Sequence, residues 1–123
     1  MDTIRSYRDL GVWQRGIELA VAIHRYVRSL PRTEQYAIGD QLIGCSTSIA
    51  SNIAEGYGRR RSAEYLRFLD IANGSRCELE TRLEVCVRAE LIRRETSEDL
   101  LNQSEIIGRM LTKLRLRINQ TRR

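Results

Sequence analysis

His24 is the only histidine in the chain, and Cys45, Cys77 and Cys86 are its only cysteines. A Ser-His-Asp or Cys-His nucleophile would have to recruit His24, which lies on an apolar seam with no catalytic signature around it. A di-iron bundle needs a Glu-x-x-His pair on each of two helices, and one histidine cannot supply that. The three thiols are odd in number, widely spaced and without a C-x-x-C pair. Neither a disulfide framework nor a zinc site follows from them, and they read as small apolar core residues. No catalytic residue, metal site or cofactor is expected, and the chain does not read as an enzyme.

What remains is electrostatic chemistry. The net charge is +5 and the pI about 9.6. Residues 1–30 hold five arginines against three acids, and residues 96–123 hold six Lys/Arg against three acids. Residues 31–95 are balanced. All basic residues except Lys113 are arginine, which suits planar or phosphate partners but also follows from a GC-rich genome. The run Glu55-Gly56-Tyr57-Gly58-Arg59-Arg60-Arg61 matches neither a Walker A loop nor a dinucleotide-binding loop,. It reads as a helix end followed by a basic turn before the next helix, whose free N–H groups also attract anions. The candidate phosphate contacts are Arg59, Arg60 and Arg61, with Arg109, Lys113, Arg115, Arg117, Arg122 and Arg123 toward the C-terminus. Trp13 and Phe68 read as buried, so stacking on bases is not expected.

These residues sit on a helical framework. β-Branched alternation is absent, and the one proline, Pro31, separates segments of helical spacing,. The first helix is predicted over about 8–29, entered through a capping box of Ser6 and Asp9. It carries two apolar seams: Leu10, Trp13, Ile17, Ala20, His24 and Val27, and Val12, Gly16, Leu19, Ile23, Tyr26 and Leu30. One ordinary surface stripe would suffice for a bundle. The second seam is available to a neighbouring subunit, and the spacing does not say which seam is which. Candidate intersubunit positions are Val12, Leu19, Ile23 and Tyr26.

The second helix, about 34–56 with Thr33 as its cap, buries Ile38, Leu42, Cys45, Ile49 and Ile53. Its other faces are small, which fits tight packing within the bundle. Ser48, Ser51, Asn52 and Glu55 alternatively form a polar seam at a subunit contact or a ligand groove. Gly56 and Gly58 end this helix through the left-handed conformation that glycine accepts. Ser62 caps a third helix, about 62–92, with solvated pairs Glu78/Arg82, Glu84/Arg88 and Glu90/Arg94. Thr96 and Asp99 cap a fourth, on which Leu100, Ser104, Ile107, Leu111, Leu114 and Ile118 form a stripe of period 3.5. Short connections make consecutive helices antiparallel. The expected fold is a single all-α domain over 1–123, an up-down-up-down four-helix bundle. No stretch has the ~18 apolar residues of a membrane span, and the N-terminus lacks signal-peptide character. A cytoplasmic address is expected.

Ser48-Ile49-Ala50-Ser51-Asn52-Ile53-Ala54-Glu55-Gly56, followed by Gly58-Arg59, resembles the signature of the four helix bundle protein family. That group includes proteins encoded in intervening sequences of bacterial large-subunit rRNA genes and is related to accessory proteins of diversity-generating retroelements. Asp9-Leu10, Val12-Trp13-Gln14, Pro31, Tyr36, Gln41-Leu42, Phe68-Leu69, Ile71-Ala72, Gly74-Ser75 and Glu78-Leu79 extend the likeness along most of the chain. The resemblance implies a protomer that assembles into a ring of five and, in the retroelement branch, binding to nucleic acid and a reverse transcriptase. It carries no enzymatic activity. Ala50 stands where the family usually has proline, implying a straighter second helix, and Ile43-Gly44 stands where it often has a basic pair. The combined expectation is a non-enzymatic, homo-oligomeric, sequence-tolerant nucleic-acid-binding accessory protein of bacterial type. The alternative is an oligomeric scaffold or adaptor for a protein partner.

Overall fold

A computed structural model describes residues 3–121. The chain enters through a 3-10 turn, Tyr7–Asp9, and then forms four long helices. These are α1 (Gly11–Arg28), α2 (Asp40–Tyr57), α3 (Ser62–Arg88) and α4 (Arg94–Thr121). A helical turn, Arg32–Glu34, and a π-helical stretch, Gln35–Gly39, run directly into α2. There is no strand among the described residues. The protein is an all-α four-helix bundle, as the spacing predicts.

Each helix packs on its sequence neighbours, and α4 closes the square against α1. Helix directions follow from the residues that meet. Gly16 faces Ala50 while Gly39 faces Val27, so numbers rise along α1 as they fall along α2. Gly56 faces Phe68 and Ser48 faces Ser75, which reverses α3 against α2. Asp70 meets Arg115 and Arg76 meets Ser104, which reverses α4 against α3. The bundle is therefore up-down-up-down. Leu19, Ile23, Ile49, Ile53, Leu69, Leu79, Leu83 and Ile107 are completely buried along its axis.

Burial assigns the two seams of α1. Val12, Leu19 and Ile23 face the core and are excluded from any contact with another subunit. They lie on the arc of α1 that α2 and α4 cover together, which periodicity alone does not identify. Tyr26 is half-buried and donates its hydroxyl to the Leu91 carbonyl at 3.1 Å. Ser48 and Asn52 are half-buried and hydrogen-bonded within the protomer. The Ser48 and Ser75 hydroxyls are 2.8 Å apart, and the Asn52 amide donates to the Ser48 carbonyl at 2.8 Å. Ser51 and Glu55 do lie outside. On the long helices, exposed apolar side chains include Ile17 and Val21 on α1, Ile71 and Val85 on α3, and Leu116 on α4.

The helix ends show where local rules were overridden. The Ser6–Asp9 capping box is present, but it closes the 3-10 turn. Thr33 and Ser62 lie inside first turns, with Pro31 and Arg61 at the caps. Gly58 ends α2 in a right-handed conformation, and no glycine has positive φ. Gly56 is needed for packing, because a β-carbon there would lie 2.8 Å from the Phe68 β-carbon.

The third break comes at 89–93, earlier than the expected 93–96. Glu90 takes the left-handed turn (φ 63°), and the Leu91 and Ile92 amides both return to the Cys86 carbonyl. A non-glycine residue in that conformation is uncommon, so sequence offered no stop signal. Thr96 consequently lies within α4, and the Glu90/Arg94 pair does not form. Arg94 reaches across to Glu84 at 3.2 Å, which Arg88 also contacts at 2.9 Å. Hydrogen bonds from Arg94 first, then Arg88, hold the Glu84 carboxyl below the usual range. The expected Glu78/Arg82 pair is present at 3.0 Å.

Cys45 and Cys86 are core residues, whereas Cys77 is exposed, contrary to its expected place. Burial pushes the Cys45 and Cys86 thiols up, further reducing their thiolate fraction,. Brief maleimide treatment of the folded protein is expected to label Cys77 alone, with all three thiols reacting after unfolding. Mass spectrometry of the intact chain reads this directly; two or three labels on the native protein would contradict the burial pattern.

Candidate nucleic-acid interface

The antiparallel order places distant basic segments at one end of the bundle. The Gly16–Ala50, Ser48–Ser75 and Arg76–Gly108 contacts mark a cross-section at mid-height. On one side lie residues 3–17, 49–74 and 109–121. They hold eleven Lys/Arg against four acids (Asp9, Glu55, Glu64 and Asp70), a charge of +7. On the other side, residues 18–48 and 75–108 hold eight arginines against eleven acids, a charge of −3. The chain's modest net charge thus conceals a strong separation along the axis. Such a field attracts a polyanion to one end only.

The expected phosphate contacts differ in availability. Arg60, Arg61, Lys113 and Arg117 lie at the basic end, exposed and without an ion pair among the described residues. Arg59 is 3.4 Å from Glu55, with its guanidinium 4.7 Å from the Phe68 ring centroid. That exposed pair contributes little and is easily exchanged for a phosphate. Arg115 is different. It pairs with Asp70 and donates to the Leu66 carbonyl at 3.4 Å, tying α4 to α3. Arg109 is exposed but near mid-height, on a shallow groove with Arg76 and Glu105. Arg122 and Arg123 lie outside the described residues.

Sequence reading counted Arg5, Arg8 and Arg15 in the N-terminal basic excess without naming them as contacts and left out Arg67; all four belong to the same half. The signal was available: in an antiparallel bundle the start of α1, the α2–α3 turn and the end of α4 share one end. The Arg8 guanidinium lies 5.6 Å from the Tyr7 ring and 5.4 Å from the Trp13 ring. Beneath the basic turn, the Tyr57 and Tyr65 rings meet edge to face at 6.2 Å. Burial, with Tyr57 adding to it, pushes the Tyr65 hydroxyl up to about 12 despite the opposing pull of Arg117. Tyr65 is therefore neutral and adds no charge to the patch.

The serine- and glycine-containing run on α2 has a different role. Ile49 and Ile53 are core, Ser48 and Asn52 form the polar seam to Ser75, and Gly56 admits Phe68. That run specifies the α2–α3 contact. A model of the 23S rRNA-intervening sequence protein family matches residues 8–113. The chain belongs to this family. The chain is also similar to a solved structure from Bacteroides thetaiotaomicron, described as a protein of unknown function from the S23 ribosomal protein family. The two are 28% identical, with a TM-score of 0.78 over 85% of this chain and 97% of the other. No curated protein matches the chain.

Among the described residues, no three His, Cys, Asp or Glu side chains gather where a metal ion could be held. No helix there is long and apolar enough to cross a membrane. The features of this family member that bear on a ligand are its charge and its surface grooves.

Proposed function

We propose that this member of the rRNA intervening-sequence family is a non-enzymatic, homo-oligomeric accessory protein of the bacterial cytoplasm. It holds nucleic acid by the phosphate backbone, with little sequence preference. The observation that carries this reading is the +7 charge of the end bearing Arg60, Arg61, Lys113 and Arg117. Duplex DNA presents one charge per about 1.7 Å, so such an end gains most from displacing its counterions. The family's name makes RNA the first ligand to test.

Self-association is supported on the outer face of α2 and α3. Ile71 and Val85 are exposed there, and Gly44 and Gly74 have open space where a side chain would be. A mid-helix glycine is about 1 kcal/mol worse than alanine, and close approach of a second backbone would offset that. In a cyclic assembly every basic end lies on the same rim, so weak contacts combine. Five copies are the expected number.

The test is binding of a labelled RNA and a labelled duplex DNA between about 50 and 200 mM salt, where a protein making several phosphate contacts loses roughly 10³-fold or more. No binding to either at low salt would remove the nucleic-acid reading and leave the scaffold. Light scattering checks assembly: a mass five times 14.3 kDa is expected, and a mass of 14.3 kDa rejects the oligomer.

A further inference from the structure

Trp13, expected to be buried, is only half-buried, at the mouth of an open groove of about 290 Å³ between α1 and α2. We propose that this groove receives an unpaired nucleobase, so that the protein prefers single-stranded to duplex nucleic acid. The inference rests on the phosphate-binding reading and adds a specific ligand group to it.

The shape suits a flat ring. The α2 wall is built from Thr47, Ala50, Ser51 and Ala54, none of which projects far, and Ile17 and Ala20 line the opposite side. At the mouth stand two aromatic rings, Tyr7 and Trp13, 5.3 Å apart and inclined at 64°. Their position is fixed by the turn before α1: Ser6 and Asp9 form the capping box, and Gln14 donates to the Arg8 carbonyl at 2.9 Å. The aromatic mouth is therefore formed before any ligand arrives.

Charge selects the occupant. Six of the eight groove residues belong to the +7 half, with Ala20 and Thr47 just across mid-height; no carboxylate lines it, and Arg8 lies over the Tyr7 and Trp13 rings. An incoming strand would place a phosphate against Arg8 and its base against the rings. A paired and stacked base cannot turn into such a slot, whereas a single strand can. The Ser51 hydroxyl, which already donates to the Ser48 carbonyl at 3.3 Å, is one of few polar groups nearby. Shape would thus be read rather than base identity, which agrees with low sequence preference.

Trp13 is the chain's only tryptophan, so its fluorescence reports this groove alone. The full chain is titrated with a short oligouridylate and with a short RNA duplex at matched salt. Saturable quenching by the single strand is expected, with affinity about 5- to 150-fold above the duplex, the usual effect of one stacked base. Ser51→Phe, at an exposed position, fills the groove. It should abolish the quench and the preference while leaving salt-dependent duplex binding intact. Trp13→Phe, which keeps a ring at the mouth, should retain the preference. Equal binding of both ligands with unchanged emission overturns the groove and leaves the phosphate contact standing. Absence of binding to both at low salt removes the underlying reading as well. If emission follows protein concentration and Ser51→Phe lowers the mass in light scattering, a second copy occupies the groove and the inference fails.

Discussion

Replacing Gly56 by valine is expected to destabilise the protein by about 3 kcal/mol, at the upper end of what overpacking costs. The β-carbon would stand 2.8 Å from the Phe68 β-carbon, 3.0 Å from the Tyr65 ring and 3.3 Å from the Tyr65 carbonyl. One of these neighbours is backbone and another is a single bond from it, so neither can rotate away. The helices must separate, and the layer of Ile53 and Leu69 beside them loosens. Even Gly56→Ala should be a net loss, although alanine favours a helix over glycine by about 1 kcal/mol. Gly44→Ala and Gly74→Ala are the controls, because nothing lies within 4 Å of either position. Each should gain about 1 kcal/mol in the protomer, or roughly 4 °C in Tm for a domain of this size. If those glycines line a subunit contact, the gain appears only at low protein concentration, where association no longer contributes. Thermal melts of the four variants decide the matter: Gly56→Val melting at or above the parent would refute the close-contact account.

That contrast shows what the sequence made legible. Local rules located the Ser6–Asp9 box, the stop at Pro31 and the core stripe from Leu100 to Ile118, because each depends on residues within a turn or on a fixed period. Gly56 read as a helix terminator because its real neighbours, Tyr65 and Phe68, arrive only once α3 folds back. The same limit hid the end of α3. Glu90 adopts a conformation usually left to glycine, with the returning amides of Leu91 and Ile92 satisfying the Cys86 carbonyl. The seams of α1 could be listed but not assigned, since a helical period gives faces without naming their neighbours. Val12, Leu19 and Ile23 were accordingly offered to a subunit contact that the protomer's own core excludes.

The candidate interface was legible in its residues and not in its geometry. The basic excess was read along the chain, as a property of the first and last helices. Folding rearranges it along the bundle axis, because alternate halves of successive helices share an end. Arg8, Arg60 and Lys113 become members of one half, while the arginines at 25, 28 and 32 are carried to the other. Arg115 looked equivalent to Arg117, yet a rotation around α4 gives Arg115 to Asp70 and leaves Arg117 in solvent.

Joint replacement of Arg60, Arg61, Lys113 and Arg117 by alanine should weaken nucleic-acid binding on the order of 10²- to 10³-fold near 0.15 M salt. Each cation that meets a phosphate releases a counterion. Four lost contacts should therefore flatten the slope of log affinity against log salt by about 3 to 4 for duplex DNA, and slightly less for a single strand. The fold should survive, because none of the four makes an ion pair among the described residues and all are exposed. Arg115 stays in place so that its pairing with Asp70 is not confused with ligand contact. The matched control replaces Arg25, Arg28, Arg32 and Arg93, which removes the same charge from the opposite half. Arg93 has only an exposed 3.8 Å pair with Glu95, so little stability goes with it,. Both variants reduce the net charge from +5 to +1. If affinity followed net charge alone, they would weaken binding equally. If the polarised end is the contact surface, the control should retain affinity to within about tenfold and keep its salt slope, since charges beyond a Debye length of roughly 8 Å are largely screened. Equal loss in the two variants would therefore reject the end-on arrangement even though nucleic-acid binding itself was observed.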